Sequence, residues 1–145
     1  MPSPSLPAWE ALPDIGLYMD QLLSYTQRYF PGDLTPGMIN SYVKSGLLDR
    51  PEKKKYSRSA LARLLMVVSL KQVLPLDSLR LLLHPASGES AEALYARFLS
   101  ARQRLDAAAS RHTSLTALDC ALQAAAFQSL AREKLNPDAP ASDQA

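Results

Sequence analysis

The stretch from residue 58 to 73, RSALARLLMVVSLKQV, most constrains the fold because its apolar side chains fall on two sides of a helix. A helix that is apolar on two sides has to be covered on two sides. We therefore expect this segment to be the core helix of an all-α domain. Its first apolar side consists of Leu61, Leu64, Leu65 and Val68, and its second of Met66, Leu70 and Val73.

Helix start and stop signals upstream predict two further helices joined by a turn. A helix with Asp14 at its N-cap is expected to end at Pro31 and Gly32. The next helix has Thr35 as N-cap, Pro36 in its first position and Gly46 just after its end. Two helices in this order, the second short and polar on one side, are typical of a helix-turn-helix.

The segment LLDRPEKKKYS, residues 47–57, predicts a small β-hairpin that would form the wing of a winged helix-turn-helix. Leu47 and Leu48 would form its first arm, Pro51-Glu52 its turn, and residues 54–56 its return. Ser57 would then cap the core helix.

Two alanine-rich segments in the C-terminal part carry apolar residues at alternating spacings of three and four, as in a coiled-coil seam. They predict an antiparallel helical hairpin, whose seam could be internal core or a dimer interface. We favour a dimer, because one small winged domain would read only a short DNA site. The first seam is Ala91, Leu94, Phe98, Ala101, Leu105 and Ala108, and the second is Leu115, Leu118, Leu122, Ala125 and Ser129.

Composition excludes several classes of protein. Cys120 is the one cysteine among 145 residues, so the chain has no internal disulfide, which suits a cytoplasmic protein. The longest apolar run, residues 64–68, is far too short to cross a membrane. His84 and His112 lack partners at ligand spacing, and there is no Gly-rich phosphate loop or nucleophile motif. We expect no metal, no cofactor and no enzymatic activity.

The charge distribution is uneven although the net charge is only +2. Residues 40–63 contain seven basic and two acidic side chains, a local net charge of +5, which leaves −3 for the rest. A lysine run alone is usually a solvated surface. Placed after a capped helix and a turn, it favours contact with the phosphates of double-stranded DNA.

The predicted DNA-binding residues come from the second helix, the wing and the start of the core helix. The helix from Pro36 to Ser45 would enter the major groove, and the wing from Arg50 to Tyr56 would contact phosphates. The two tyrosines in this set could equally pack in the core. The set is Thr35, Met38, Asn40, Ser41, Tyr42, Lys44, Arg50, Lys53, Lys54, Lys55, Tyr56 and Arg58.

Three segments, MINSYVKSGLL, KKYSRSALARLL and SLKQVLPLDSLRLLL, resemble the DNA-binding domain of MerR-type regulators. That family has a T-I-R-Y-Y-E-K-x-G-L-L segment and a wing that ends in Y-S. Tyr42 and Lys44 match the second tyrosine and the lysine of this segment, whereas Asn40 and Ser41 replace its arginine and first tyrosine. Residues 12–25, LPDIGLYMDQLLSY, with LTPGMINSYVKSGLL and RPEKKKYS, are also similar to an uncharacterised bacterial family of unknown function.

The sequence therefore predicts an all-α protein with a MerR-like winged helix-turn-helix and a C-terminal antiparallel helical hairpin. We divide it into an arm (1–13), a DNA-binding domain (14–86), a hairpin for dimerisation or sensing (87–136) and a disordered tail (137–145). The expected function is sequence-specific transcriptional regulation by a homodimer, with an unknown effector as a possible further partner. The alternative is a helical protein–protein adaptor that uses a degenerate helix-turn-helix.

Overall fold

The computed structural model describes residues 5–32, 34–112 and 114–136. These residues form a short 3₁₀ turn and six α-helices, and no strand is formed among them. The predicted tail, 137–145, and the first four residues of the predicted arm lie outside the described residues. The helices are α1 (Met19–Gln27), α2 (Pro36–Lys44), α3 (Arg58–Leu70), α4 (Leu76–Leu82), α5 (Ala91–Ala109) and α6 (Ala117–Leu135), and the 3₁₀ turn is Trp9–Ala11.

Helix α3 is the core helix, as predicted, and its first apolar side is buried. On the second predicted side Met66 is buried, Leu70 is half-buried, and Val73 lies beyond the end of the helix and is 42% exposed. Eight of its thirteen residues are buried, and it packs against both α1 and α5. Removing these side chains from water is the main source of stability that the sequence provides. The buried residues of α3 are Ala60, Leu61, Ala62, Leu64, Leu65, Met66, Val67 and Val68.

The predicted caps of α2 and α3 are confirmed. The Thr35 hydroxyl accepts a hydrogen bond from the Met38 amide at 3.1 Å, and the Ser57 hydroxyl accepts one from the Ala60 amide at 3.1 Å. Gly46 follows α2 with φ of 82°, a left-handed conformation that glycine adopts without steric cost. These signals are local in sequence, so the sequence specifies them well.

The predicted cap of α1 is wrong. The helix begins at Met19, and the Tyr18 amide donates to the Gln21 side-chain oxygen at 2.9 Å. Asp14 instead forms a salt bridge with Arg58, with Nη2 and Oδ2 3.0 Å apart. The Asp14 side chain, which the sequence predicted as the cap of α1, is therefore paired with a charged residue of α3 instead.

The predicted β-hairpin wing is not present, so the winged helix-turn-helix fold is a wrong prediction. Leu47 and Leu48 are buried, and their amides both point back to the carbonyl oxygen of Tyr42 at the end of α2. The backbone of Tyr56 is paired with Leu17, which precedes α1, through bonds of 2.9 and 2.7 Å. The two intended arms are therefore each engaged elsewhere and cannot form a ladder with each other.

The N-terminal segment packs on α5. Leu6 and Leu12 are buried, and the Tyr95 hydroxyl donates to the Pro7 carbonyl oxygen at 2.7 Å. The Trp9 and Tyr95 rings lie 6.4 Å apart, in the tilted geometry that aromatic pairs favour. Because Tyr95 is completely buried, the first half of α5 belongs to the same core as α3.

The second half of α5 and all of α6 are different, because no residue of α6 is buried. Helix α6 packs against α4, and the Gln128 side chain donates to the carbonyl oxygen of Val73, which lies between α3 and α4. The seam residues Leu105, Leu118 and Leu122 are 61%, 68% and 61% exposed. The two predicted seams are therefore not buried against each other in this chain.

Candidate nucleic-acid interface

The lysine run forms a tight turn closed by two backbone hydrogen bonds. The Glu52 amide donates to the Lys55 carbonyl oxygen at 3.0 Å, and the Lys55 amide donates to the Glu52 carbonyl oxygen at 2.9 Å. Between them, Lys53 and Lys54 have φ of 50° and 68°. We call residues Glu52–Lys55 the basic turn. It lies two residues later than the turn that the sequence predicted.

The backbone of the basic turn is an unfavourable one for lysine. Two-residue turns with positive φ at both central positions strongly prefer Asn-Gly, since a side chain in the left-handed region clashes with the backbone. Each such residue costs on the order of 1 kcal/mol. Lys53 and Lys54 are the non-glycine residues with positive φ among those described, and both are exposed together with Lys55. The turn thus exposes three lysine residues, two of them on strained backbone.

Lys55 lies along the segment that precedes α1. Its Nζ is 5.4 Å from the centre of the Tyr18 ring, within the range of a cation–π contact. Its side chain also covers Gly16, where an added Cβ would lie 3.1 Å from the Lys55 Cβ. Sequence analysis missed both contacts, because neither Gly16 nor Tyr18 carries a signal for a partner so distant in the chain.

Helix α2 presents a polar face to solvent. Asn40, Ser41 and Lys44 are exposed. They lie one and three positions apart in the sequence, which places them on one side of the helix. Ile39 is buried on the opposite side. Thr35 is exposed at the start of this helix, but its hydroxyl is used for the cap, and Met38 is half-buried.

The other predicted site residues are divided between solvent and core. Arg50 is exposed, whereas Tyr42 and Tyr56 are 5% and 4% exposed and pack in the core. Burial raises the pKa of the Tyr56 hydroxyl, as expected for an acid whose charged form is poorly solvated. Arg58 is half-buried between Asp14 and the Trp9 ring, whose centre is 5.3 Å from its guanidinium carbon. Tyr42, Tyr56 and Arg58 therefore stabilise the candidate interface from its buried side.

A cleft of about 520 Å³ connects α2 with the basic turn. Its walls come from the starts of α1 and α2, from the basic turn and from the segments on either side of that turn. The lining is mainly apolar, so the cleft itself offers little for a phosphate. The lining residues are Tyr18, Met19, Asp20, Leu23, Pro36, Pro51, Lys54 and Tyr56.

Residues 5–32, 34–112 and 114–136 contain no group of three or more His, Cys, Asp or Glu side chains arranged to hold a metal ion. Within the same residues, no helix combines the length and apolar character that a membrane span requires.

Comparison with known proteins gives one family. No curated protein and no solved structure matches the chain, and no match to MerR-type regulators is found. Residues 7–98 match the family described as "Domain of unknown function (DUF1836)". The matched region runs from the N-terminal segment through α1–α4 to the middle of α5, so it covers most of the chain and the whole candidate interface. The chain therefore belongs to this DUF1836 family.

Proposed function

We propose that this protein binds double-stranded DNA and regulates transcription, with the basic turn on phosphates and the exposed face of α2 on base edges. The observation that carries the proposal is the placement of Lys53 and Lys54 at the two strained positions of the basic turn. Asparagine and glycine would form the same turn at lower cost. Strained residues cluster at functional sites, and the feature that distinguishes lysine from these alternatives here is its charge.

The phosphate contacts would come from side chains that the fold leaves exposed. Lys53, Lys54, Lys55 and Arg50 lie within six consecutive residues and are all exposed. Neutralising phosphates and releasing their counterions supplies much of the affinity of DNA-binding proteins. Arg58 and the two buried tyrosines are not part of the proposed contact surface, since their positions are fixed within the protein.

Base contacts would come from α2. Asn40 can donate to and accept from adenine in the major groove, and Ser41 can contact a base edge directly or through water. Lys44, on the same exposed face, would add a phosphate or guanine contact. The sequence resemblance of this helix to MerR-type regulators also supports transcription as the context.

We further propose that a second copy of the chain covers the exposed seam of α6. Along this seam, Leu118 and Leu122 are followed by the small Ala125 and Ser129. An antiparallel second copy would place the leucines of each helix opposite the small residues of the other, which makes the surface self-complementary across a two-fold axis. The helix has 19 residues and is about 28 Å long at 1.5 Å per residue, enough for such a seam.

The alternative function is binding of another protein, and the cleft beside the basic turn favours it. Its lining by Tyr18, Leu23, Pro36 and Pro51 is apolar, which suits an inserted side chain better than a phosphate. A partner peptide with an apolar residue flanked by carboxylates would match both the cleft and the lysines. In this alternative, the partner protein would bind the same surface of this chain that is proposed to bind DNA.

The deciding experiment is selection of bound fragments from random duplex DNA, followed by titration of the selected duplex at several salt concentrations. An enriched inverted repeat with steep salt dependence supports a dimeric DNA-binding regulator. An enriched single half-site supports DNA binding without the dimer. Binding to neither the selected nor the random duplex, even at low salt, would contradict the proposal and favour the adaptor.

A further inference from the structure

The segment Asp14–Tyr18, which precedes α1, contacts the basic turn and the residues that follow it at four points. We call these five residues the anchor segment. Asp14 forms the salt bridge with Arg58, Leu17 pairs with the backbone of Tyr56, and Tyr18 lies beneath the Lys55 ammonium group. At the fourth point Gly16 faces the Lys55 side chain, which is the group nearest to a Cβ added at this glycine.

Gly16 is suited to this place for two reasons. Its φ of 75° is one that residues with a side chain rarely adopt. In addition, a Cβ at this position would lie 3.1 Å from the Cβ and 3.2 Å from the Cδ of Lys55. The first distance involves an atom fixed to the backbone of the basic turn, so a side chain at Gly16 would require the turn or the segment before α1 to shift by a few tenths of an ångström.

Leu17 joins the anchor segment to the backbone of Tyr56 through two hydrogen bonds. Its amide donates to the Tyr56 carbonyl oxygen at 2.9 Å, and its carbonyl oxygen accepts from the Tyr56 amide at 2.7 Å. Leu17 and Tyr56 are both buried, so these bonds are protected from water. Tyr56 directly follows Lys55, and the pair therefore fixes the base of the basic turn to the start of α1.

We infer that Gly16, Leu17 and Tyr18 are positioning residues, which hold the basic turn in one orientation and so determine where its lysines meet a phosphate backbone. They act through the turn and need not contact DNA. The part of this inference that concerns phosphates rests on the proposed function. The part that concerns the order of the turn does not, so the two can fail separately.

The first test is trypsin cleavage of the native protein after Lys53, Lys54 and Lys55. Cleavage of a folded protein follows the population in which the site is locally open. The change Gly16→Ala should raise the cleavage rate at the turn about tenfold relative to cleavage after Arg111. Gly88→Ala is the matched control, because Gly88 has φ of 78° but nothing within 4 Å of an added Cβ.

The two glycine variants separate backbone strain from contact. Both should lower the thermal midpoint, since both force alanine into the left-handed region. Faster cleavage at the turn in Gly16→Ala alone supports the positioning role. Equal cleavage rates at the turn in the two variants would overturn it.

Tyr18 provides a second route in case Gly16→Ala does not fold. Tyr18→Ala removes the ring beneath Lys55, whereas Tyr18→Phe retains the ring face that attracts a cation. Faster cleavage at the turn in Tyr18→Ala, with the original rate in Tyr18→Phe, supports the inference. An unchanged rate in Tyr18→Ala would show that Tyr18 does not position the turn.

The second readout is DNA affinity as a function of salt. If the turn is misplaced, the slope of log affinity against log salt should fall by about 0.9 for each lost phosphate contact in Gly16→Ala, and stay unchanged in Gly88→Ala. A normal slope despite faster cleavage would overturn the link to phosphates and leave the ordering of the turn in place. If the unaltered protein shows no salt-dependent DNA binding, the proposed function fails, and cleavage alone decides the positioning role.

Discussion

Arg63 donates a hydrogen bond from Nε to the carbonyl oxygen of Leu47 at a distance of 2.7 Å. Its Nη1 donates to the carbonyl oxygen of Leu83 at 3.1 Å. One guanidinium on α3 thus satisfies backbone acceptors just beyond the ends of α2 and α4. Burial lowers the pKa of Arg63, partly opposed by the negative charge of Asp49, but an arginine stays charged at any ordinary pH.

Replacing this arginine tests its role in holding the domain together. Arg63→Met keeps the aliphatic length but leaves two carbonyl groups without their donor, so the free energy of unfolding should fall by about 2–4 kcal/mol. The measurement is urea unfolding followed by circular dichroism. Arg104→Met, at an exposed position of α5, is the control and should change stability by less than about 0.5 kcal/mol. A similar small effect at Arg63 would contradict the structural role.

The basic turn should become more stable and less functional when its lysines are replaced by the residues that its backbone prefers. Lys53→Asn with Lys54→Gly relieves strain at both positive-φ positions and should raise the free energy of unfolding by roughly 1–2 kcal/mol. The same change should weaken DNA binding and reduce the salt slope by up to about 1.8, or 0.9 per phosphate contact. Arg104→Gln with Arg111→Gln removes the same charge elsewhere and should leave the slope unchanged. Loss of binding without the gain in stability would show that the turn is not strained.

Asn40 is predicted to read bases from the exposed face of α2. Asn40→Ala should relax the preference at one or two base pairs, at a cost of roughly 1–3 kcal/mol if the amide is bidentate to adenine. Because Asn40 is exposed, the thermal midpoint should hardly change. Repeating the fragment selection with the variant measures the effect. An unaltered preferred sequence would exclude Asn40 as a reader.

The seam of α6 should control oligomeric state without affecting the fold of the monomer. Leu122→Arg places a charge in the proposed interface, and light scattering should show the mass of a monomer where the unaltered protein shows a dimer. Since Leu122 is 61% exposed, the variant should remain folded. Gln123→Arg adds the same charge on a different side of the helix and should leave the dimer intact. A monomeric unaltered protein at micromolar concentration would disprove the proposed interface.

Alkaline pH should destabilise the fold through Tyr25, a half-buried residue of α1. Burial, together with a hydrogen bond and charge repulsion from Tyr29, raises the pKa of Tyr25 from 10.0 to about 12, with Arg28 opposing the shift. The folded state therefore holds this proton more tightly than the unfolded state. Its contribution to stability is complete below about pH 10 and is lost as the pH rises to about 12.

Urea unfolding at a series of alkaline pH values would measure this loss. The free energy of unfolding should fall between about pH 10 and 12, and it should fall less steeply in Tyr25→Phe, which cannot ionise at this position. Equal slopes in the two proteins would assign the alkaline loss to other groups.

The sequence by itself determined the features that depend on residues within a few positions of each other. The caps at Thr35 and Ser57, the stop at Gly46 and the first apolar side of α3 are all local signals, and the structure contains each of them. They were enough to predict helical segments, a core helix and an exposed basic stretch. The polar face of α2 followed from the same helical periodicity.

The tertiary structure alone decided how these segments pair. Tyr56 hydrogen bonds with Leu17, far away in the chain. Because Tyr56 is paired there, the predicted wing does not form, and the turn lies at Lys53 and Lys54. The seam spacing on α6 was visible in the sequence, but its exposure depends on α6 packing against α4. The spacing of apolar residues shows which side of a helix is apolar, and capping residues show where the helix begins and ends. Which other segment that side packs against depends on competition among all the surfaces of the fold.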